Sequence, residues 1–183
     1  MTELLTPRLR LRRWREADVD AMERINSHPE VSRWIGDGSG FDRAASAAEI
    51  ARFEQVWREH GFGRFALELR DTGELVGFTG MAILSDIPEI MPAVEIGWRL
   101  GRDFWGRGLA TEASAAALNF AAGAGLDRIV AVHLVGNDAS ARVMRRLGMR
   151  FDRETIENVY GLPVHLYAVE LPTSLLSLRI PSH

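Results

Sequence analysis

Cysteine and lysine are both absent from the 183-residue chain. Without cysteine there is no disulfide framework, no thiolate metal site and no sulfur nucleophile, so an acyl-enzyme on sulfur is excluded. Without lysine, all 22 basic residues are arginine, which stays protonated at ordinary pH and cannot accept an acyl group. A codon bias explains this exchange simply, because helix propensity and charge are nearly indifferent to it at exposed positions. Long apolar runs are missing as well, and so is a secretory leader, which predicts a soluble, cytoplasmic chain with no membrane span. The formal charge of -3 gives no general attraction to nucleic acid or to an anionic membrane.

With 46% apolar residues and no linker-like interruption, residues 1–172 are expected to form one compact domain with a full core. Residues 173–183 read as a C-terminal tail. Its LLSL segment packs either on the core or on a neighbouring copy, and the second arrangement would give a homodimer.

Periodicity and turn residues set out the elements. Leu9 to Arg13 alternates as a short strand, and Glu16 to Ile25 reads as a helix ended by His28-Pro29. Ala44 to His60 is an amphipathic helix stopped by Gly61, and Trp34 to Phe41 between them is a Gly-rich loop. Arg64 to Arg70 and Glu74 to Leu84 form a hairpin through Asp71-Thr72-Gly73, and Val94 to Leu100 continues that sheet. A helix from Leu109 to Ala122, a strand from Ile129 to Val135, a helix from Ala139 to Leu147 and strands Met149 to Ile156 and Val164 to Leu171 complete the order. The result is a mixed, mostly antiparallel α/β sheet of six to seven strands flanked by about four helices.

The stretch from Val94 to Ala113, VEIGWRLGRDFWGRGLATEA, carries the strongest functional signal. Trp105-Gly106-Arg107-Gly108-Leu109-Ala110-Thr111 places two residues without Cβ at alternate positions just before an Ala-rich helix. Several backbone N–H groups can then converge on one anion at the positive end of the helix dipole. Gly106-x-Gly108 also starts a dinucleotide fingerprint, but the third position is Thr111. The acidic residue that such a site needs could only be Asp127, which lies at the wrong end of the next apolar run.

Within the preceding strand, Glu95 shares a face with Gly97 and opposes Val94, Ile96 and Trp98. It faces either solvent or a cleft; beside an amine it could take the ammonium proton. Gly97 inside an apolar strand marks a bulge or a close approach. Asn137 or Asp138 caps the helix that follows, and Ser140 sits in its first turn, where it could belong to the cap. His133 and His165 lie in apolar strands as core or cleft histidines. Their spacing supports no metal site.

The turn resembles the acetyl-CoA site of the GNAT superfamily of N-acetyltransferases, Q/R-x-x-G-x-G/A, through Trp105, Gly108 and Ala110, with Trp replacing the usual first residue. The resemblance continues through LLTPRLRLRRWREADVDAM, EIGWRLG, NDASARVMRRLGMRF and VHLYAVEL, and it points to the branch of ribosomal-protein alanine and serine N-acetyltransferases. It implies a sheet splayed between the fourth and fifth strands around a bulge near Gly97. The backbone of Trp98 and Leu100 would then pair with the pantetheine arm of the cofactor. It also implies a pyrophosphate on Trp105, Gly106, Arg107, Gly108, Leu109, Ala110 and Thr111, with Asn137 and Ser140 beside it. Arg145 is the choice among Arg142, Arg145 and Arg146 for the 3′-phosphate.

Members of this family often place a Tyr seven residues after the Asn as an acid for the departing thiolate. Met144 stands there, which leaves Ser140 as the nearest hydroxyl. The expected activity is direct transfer of acetyl from acetyl-CoA to a primary amine, a protein N-terminus or a small amine, with Glu95 and Ser140 as catalytic residues and no metal. Trp34 in the Gly-rich loop, Glu95, and Tyr160 near the closing hairpin would frame the acceptor. The rival reading is a CoA-binding sensor or structural protein without transferase activity.

Overall fold

The computed structural model describes residues 2–172, so the expected tail and its LLSL segment lie outside the described residues. Eight strands are present among them: β1 (Leu4–Leu5), β2 (Leu9–Arg12), β3 (Arg64–Leu69), β4 (Leu75–Leu84), β5 (Ala93–Leu100), β6 (Arg128–Leu134), β7 (Arg150–Ile156) and β8 (Pro163–Glu170). They form one sheet in the order β1-β2-β3-β4-β5-β6-β8-β7. The five α-helices are α1 (Val19–Ser27), α2 (Pro29–Ser32), α3 (Arg43–His60), α4 (Leu109–Gly123) and α5 (Asp138–Arg146).

Local chemistry explains the helix ends. The Asp42 carboxylate accepts the Ala45 N–H at 2.8 Å to start α3, and Gly61 ends it in the left-handed region at φ 72, a conformation that favours glycine. His28-Pro29 stops α1 as expected but also starts α2. The His28 ring accepts the Glu30 N–H at 3.2 Å, and Pro29 fills the first helical position, where no N–H is needed. The extra strand, β1, is only two residues long and pairs Leu4 with Leu11.

The pleat divides the core between two faces. On one, the Ala-rich α4 and then α5 pack Ala117, Ala121 and Met144 onto Ile96, Ile129 and Ala131. Alanines on α4 let the helix lie close to the sheet. On the other, α1 and α3 pack Met22 and Ile50 against Ala66, Phe78 and Trp14.

The ladder fails at one place. β4 and β5 pair without interruption from Gly77 with Leu100 to Leu84 with Ala93. β5 and β6 are parallel and share a single register pair, Glu95 with Val130. The two strands therefore splay, at the place the resemblance implied. No bulge causes it, because Gly97 stays in register with Gly80. The glycine instead serves a close approach, described next.

Candidate active site

Beyond Glu95, towards Leu100, β5 has no strand neighbour on its outer edge among the described residues. Gly101 N–H donates to Val76 O at 3.0 Å, which fixes the alternation along the ladder. The N–H and C=O groups of Gly97 and Arg99 turn to β4, and those of Trp98 and Leu100 turn to the gap. One of these is already engaged, since the Trp105 indole N–H donates to Leu100 O at 2.8 Å. Trp105 is thereby tied to the end of β5.

At the mouth of the gap stands the start of α4. Gly106 and Gly108 are both left-handed, at φ 73 and 76, and Gly108 is the cap residue, with no side-chain cap. The N–H groups of the first turn lack intrahelical partners by geometry, and Thr111 Oγ1 is buried without a partner among the described residues. From behind, Arg8 Nη1 donates to Arg107 O at 2.7 Å and Arg8 Nε to Glu112 at 2.7 Å. The turn is thus braced on its far side and leaves donors open on its near side.

A cleft of about 770 Å³ passes through the gap and takes lining residues from both faces of the sheet. Glu95, Trp98, Leu100, Trp105, Gly106, Gly108, Leu109, Ala110, Thr111, Asn137, Ser140, Trp34 and Tyr160 all line it; Arg107 and Arg145 do not. Arg142 and Arg146 line it with Ala139 and Val143, the one-sided stripe that helical spacing produces. Arg145 falls off that stripe. Asn137 Oδ1 accepts the Ser140 N–H at 3.2 Å, so Asn137 is the cap and the Ser140 hydroxyl is not.

Glu95 faces a cleft and not bulk solvent, on the side of α1 and α3. Arg64 Nη2 is hydrogen-bonded to Glu95 Oε1. The register explains the reach: Arg64 pairs with Gly80 and Gly80 pairs with Gly97, and a Cβ built on Gly97 would overlap the Arg64 guanidinium. The arginine crosses the sheet over glycine to reach the carboxylate at the splay. Burial raises the Glu95 carboxyl above its ordinary range, the Arg64 charge opposes this, and the nearby Asp86 carboxylate adds to it. The side chain keeps 20% exposure, towards the cleft.

Further along the same face, Arg99 Nη1 donates to Asn26 Oδ1 at 2.6 Å and to both Glu49 oxygens at 2.8 and 3.0 Å. Phe78 lies beneath both arginines, 5.1 Å from Arg64 and 5.0 Å from Arg99. Opposite them, the Tyr160 ring rests on Gly36, where a Cβ would come within 2.8 Å of it. The Glu157 carboxylate accepts the N–H groups of Val159, Tyr160 and Leu162 at 2.8, 3.0 and 3.0 Å and so shapes that hairpin. His133 also lines the cleft; its Nδ1 lies 2.9 Å from Leu134 O, Nε2 is buried without a partner among the described residues, and burial lowers its pKa. Arg64, Asp86, Arg99 and Glu157 were not singled out in the sequence; the arginines and Asp86 depend on groups distant along the chain, and Glu157, whose partners are local, sits in a turn that carries no periodic signal.

A family model described as an acetyltransferase (GNAT) domain matches residues 8–150. The chain belongs to the GNAT acetyltransferase family. This GNAT enzyme is 30% identical over 176 residues to an uncharacterized N-acetyltransferase, YoaA, of Bacillus subtilis, covering 92% of this chain and 97% of that one. An acetyltransferase structure from Agrobacterium tumefaciens superimposes with a TM-score of 0.77 at 27% identity, over 91% of this chain and 94% of the other. RimL, a ribosomal L7/L12 α-N-protein acetyltransferase solved with coenzyme A, shares the fold at a TM-score of 0.76 and 18% identity, over 93% and 98% of the two chains. The GNAT match ends where the β7–β8 hairpin begins, so Glu157 and Tyr160 lie outside it. Among the described residues no helix is long and apolar enough to cross a membrane.

Proposed function

We propose that this acetyltransferase moves acetyl from acetyl-CoA to a primary amine by direct attack in a ternary complex. The observation that carries the reading is the course of the cleft, from the uncapped start of α4, through the gap beside Trp98, to Glu95 on the opposite face. The residues at the gap fit the cofactor: free first-turn N–H groups and the orphan Thr111 hydroxyl suit a pyrophosphate, and the gap-facing N–H and C=O of Trp98 suit an amide-bearing arm. RimL, which shares the fold, is solved with coenzyme A. Arg142 and Arg146 are better placed than Arg145 for the 3′-phosphate, and Arg107 contributes its backbone only. When bound, acetyl-CoA supplies an activated acyl group.

This chain's own residues do the rest. Glu95 takes the proton of the acceptor ammonium, directly or through one water, because an alkylamine with a pKa of about 10 must be free before it attacks. A carboxyl raised by burial is a stronger base than an ordinary one. Arg64 fixes its orientation. Gap-facing N–H groups of β5 stabilise negative charge on the acyl oxygen, and the Ser140 hydroxyl hydrogen-bonds the departing sulfur. Trp34 and Tyr160, which both line the cleft, frame the acceptor, whose identity is set by the loop from 34 to 41 and by the hairpin outside the family match.

A thiol-release assay with peptides beginning in Ser, Ala or Met, polyamines, aminoglycosides and small amino acids tests the reading. Amine-dependent release of free thiol is the expected result. Binding of acetyl-CoA with no release above hydrolysis for any amine would refute it.

A further inference from the structure

We infer that the acceptor carries a carboxylate in addition to its amine, and that Arg99 receives it. The inference rests on the reading of this cleft as the acetyl-transfer site and specifies what enters its acceptor side.

Glu95, Gly97 and Arg99 point to one face of β5 by strand alternation. Carboxylates stand at one end of this row, with Asp86 near Glu95, and a guanidinium stands at the other. Arg99 makes all its side-chain hydrogen bonds among the described residues through Nη1, while Phe41 and Phe78 meet only the face of its guanidinium. Its Nε and Nη2 have no protein partner among the described residues, and neither is sealed from the cleft that Arg99 lines. The side chain is nevertheless only 13% exposed, and its partner Glu49 only 8%. A guanidinium held this deep, with one edge of its fork unspent, matches the two oxygens of a carboxylate.

Fixing α1 and α3 to the sheet consumes only Nη1, so that structural task leaves the open edge unexplained. The ammonium of the same acceptor falls to Asp86 and Glu95. A polycation would meet Arg64 and Arg99 side by side over Phe78, with Arg33 also on the lining. Four strand residues separate the Cα atoms of Glu95 and Arg99 by about 13 Å. An acceptor of dipeptide length therefore suits the row better than one in which amine and carboxylate share a carbon.

The test compares kcat/KM in the thiol-release assay for glycylglycine and glycylglycinamide, with glycine and spermidine alongside. An alanyl-glutamyl amide separates a free terminal carboxylate from an acidic side chain of a peptide. At least a tenfold preference for the carboxylate form over its amide is expected, the order that one hydrogen bond to a charged group contributes. The double variant Glu49→Gln with Arg99→Gln, which leaves no buried charge alone, abolishes that preference by lowering kcat/KM of the acid far more than that of the amide. Should it fail to fold, Arg99→Lys keeps a cation against Glu49, removes the fork and lowers the preference.

A second readout does not need transfer. N-acetylglycylglycine, which bears the carboxylate and no amine, should bind the wild type in calorimetry and lose affinity in the Arg99 variants. If no amine yields thiol but this binding holds and depends on Arg99, the acetyl-transfer reading fails and the carboxylate site stands. Equal kcat/KM for acid and amide, a preference unchanged in the folded variants, or no Arg99-dependent binding of the acetylated dipeptide overturns the inference.

Discussion

Replacing Gly97 by alanine tests the electrostatics of the site with little risk to the fold. Gly97 is not among the glycines with positive φ and keeps its register with Gly80, so alanine suits the backbone. Reduced entropy of the unfolded chain even adds about 0.4–1 kcal/mol of stability. What the new methyl meets is the guanidinium of Arg64, the far end of a flexible side chain. Arg64 must leave, and Glu95 loses its cation.

Exposed ion pairs contribute up to about 1 kcal/mol, while two charges 4 Å apart at an effective dielectric constant of 20 interact by about 4 kcal/mol. The Arg64 and Glu95 side chains, 14% and 20% exposed, belong between these limits. Without the cation, desolvation and the Asp86 charge act unopposed, so the carboxyl rises further above its usual range and stays protonated to higher pH. Below its pKa, each 1.4 kcal/mol leaves tenfold less of the ionised base. Turnover on the acid limb should fall about tenfold, and that limb of the pH profile should move to higher pH with the plateau nearly unchanged. Steady-state thiol release between pH 6 and 10 measures this, with thermal unfolding as the folding control. A folded Gly97→Ala enzyme with an unmoved acid limb, or an equal loss at every pH, would refute the base role and the part Arg64 plays in it.

Glu95→Gln should lower turnover most near neutrality and recover partly at high pH, where more of the amine is already free, as a pH series with saturating acceptor would reveal. Ser140→Ala should slow the reaction at every pH, towards the low end of the roughly 100- to 10,000-fold typical of a positioned acid or base, with cofactor affinity by calorimetry barely changed. Gly108→Val forces a β-branched residue to a φ of 76, so acetyl-CoA binding should be lost; unaltered affinity in a folded variant would remove the turn from the site. For Glu112, desolvation pushes the carboxyl up, but hydrogen bonds from Thr6 and Arg8 outweigh it and the net pKa lies below 4.5. A depressed carboxyl stabilises the fold above its unfolded pKa and loses that contribution as pH falls through the folded one. Glu112→Gln should therefore cost about 1–3 kcal/mol at pH 7, a difference in urea unfolding that vanishes towards acid pH.

Elements whose signals are local were legible in the sequence. Gly61 stops α3, Asn137 caps α5, and two glycines at alternate positions announce the start of α4. β1 escaped because two residues carry no period, and α2 because Pro29 serves as both a stop and a start. In the site, the glycine turn before α4 and the placement of Glu95 on a cleft-facing strand could be read from spacing. Arg64 could not, because its route over Gly80 and Gly97 depends on registers that only the assembled sheet defines. The choice of Arg145 from the sequence takes no account of helix phase, which sets Arg142 and Arg146 and not Arg145 on the cleft-lining stripe of Ala139 and Val143. The bulge expected at Gly97 gave way to the same fact that explains the glycine, an arginine lying across it.

The two buried arginine clusters of this protein use their forks differently, and the contrast bears on function. Arg12 donates through Nε to Glu68 at 2.8 Å and through both Nη atoms to Asp18 at 2.7 and 2.9 Å. Every nitrogen is spent, its pKa is raised chiefly by the Asp18 hydrogen bonds, and none of the three residues lines the cleft. Arg99, also buried, spends one nitrogen, and desolvation lowers its pKa against the pull of Glu49. Buried ion pairs are often replaceable by apolar residues without loss of stability, while an incompletely satisfied one is a net cost. The Arg12 cluster closes on itself and needs only the fold to account for it. The Arg99 cluster stays open at the point where the cleft passes, so the donors it leaves free call for a partner that comes from outside the chain.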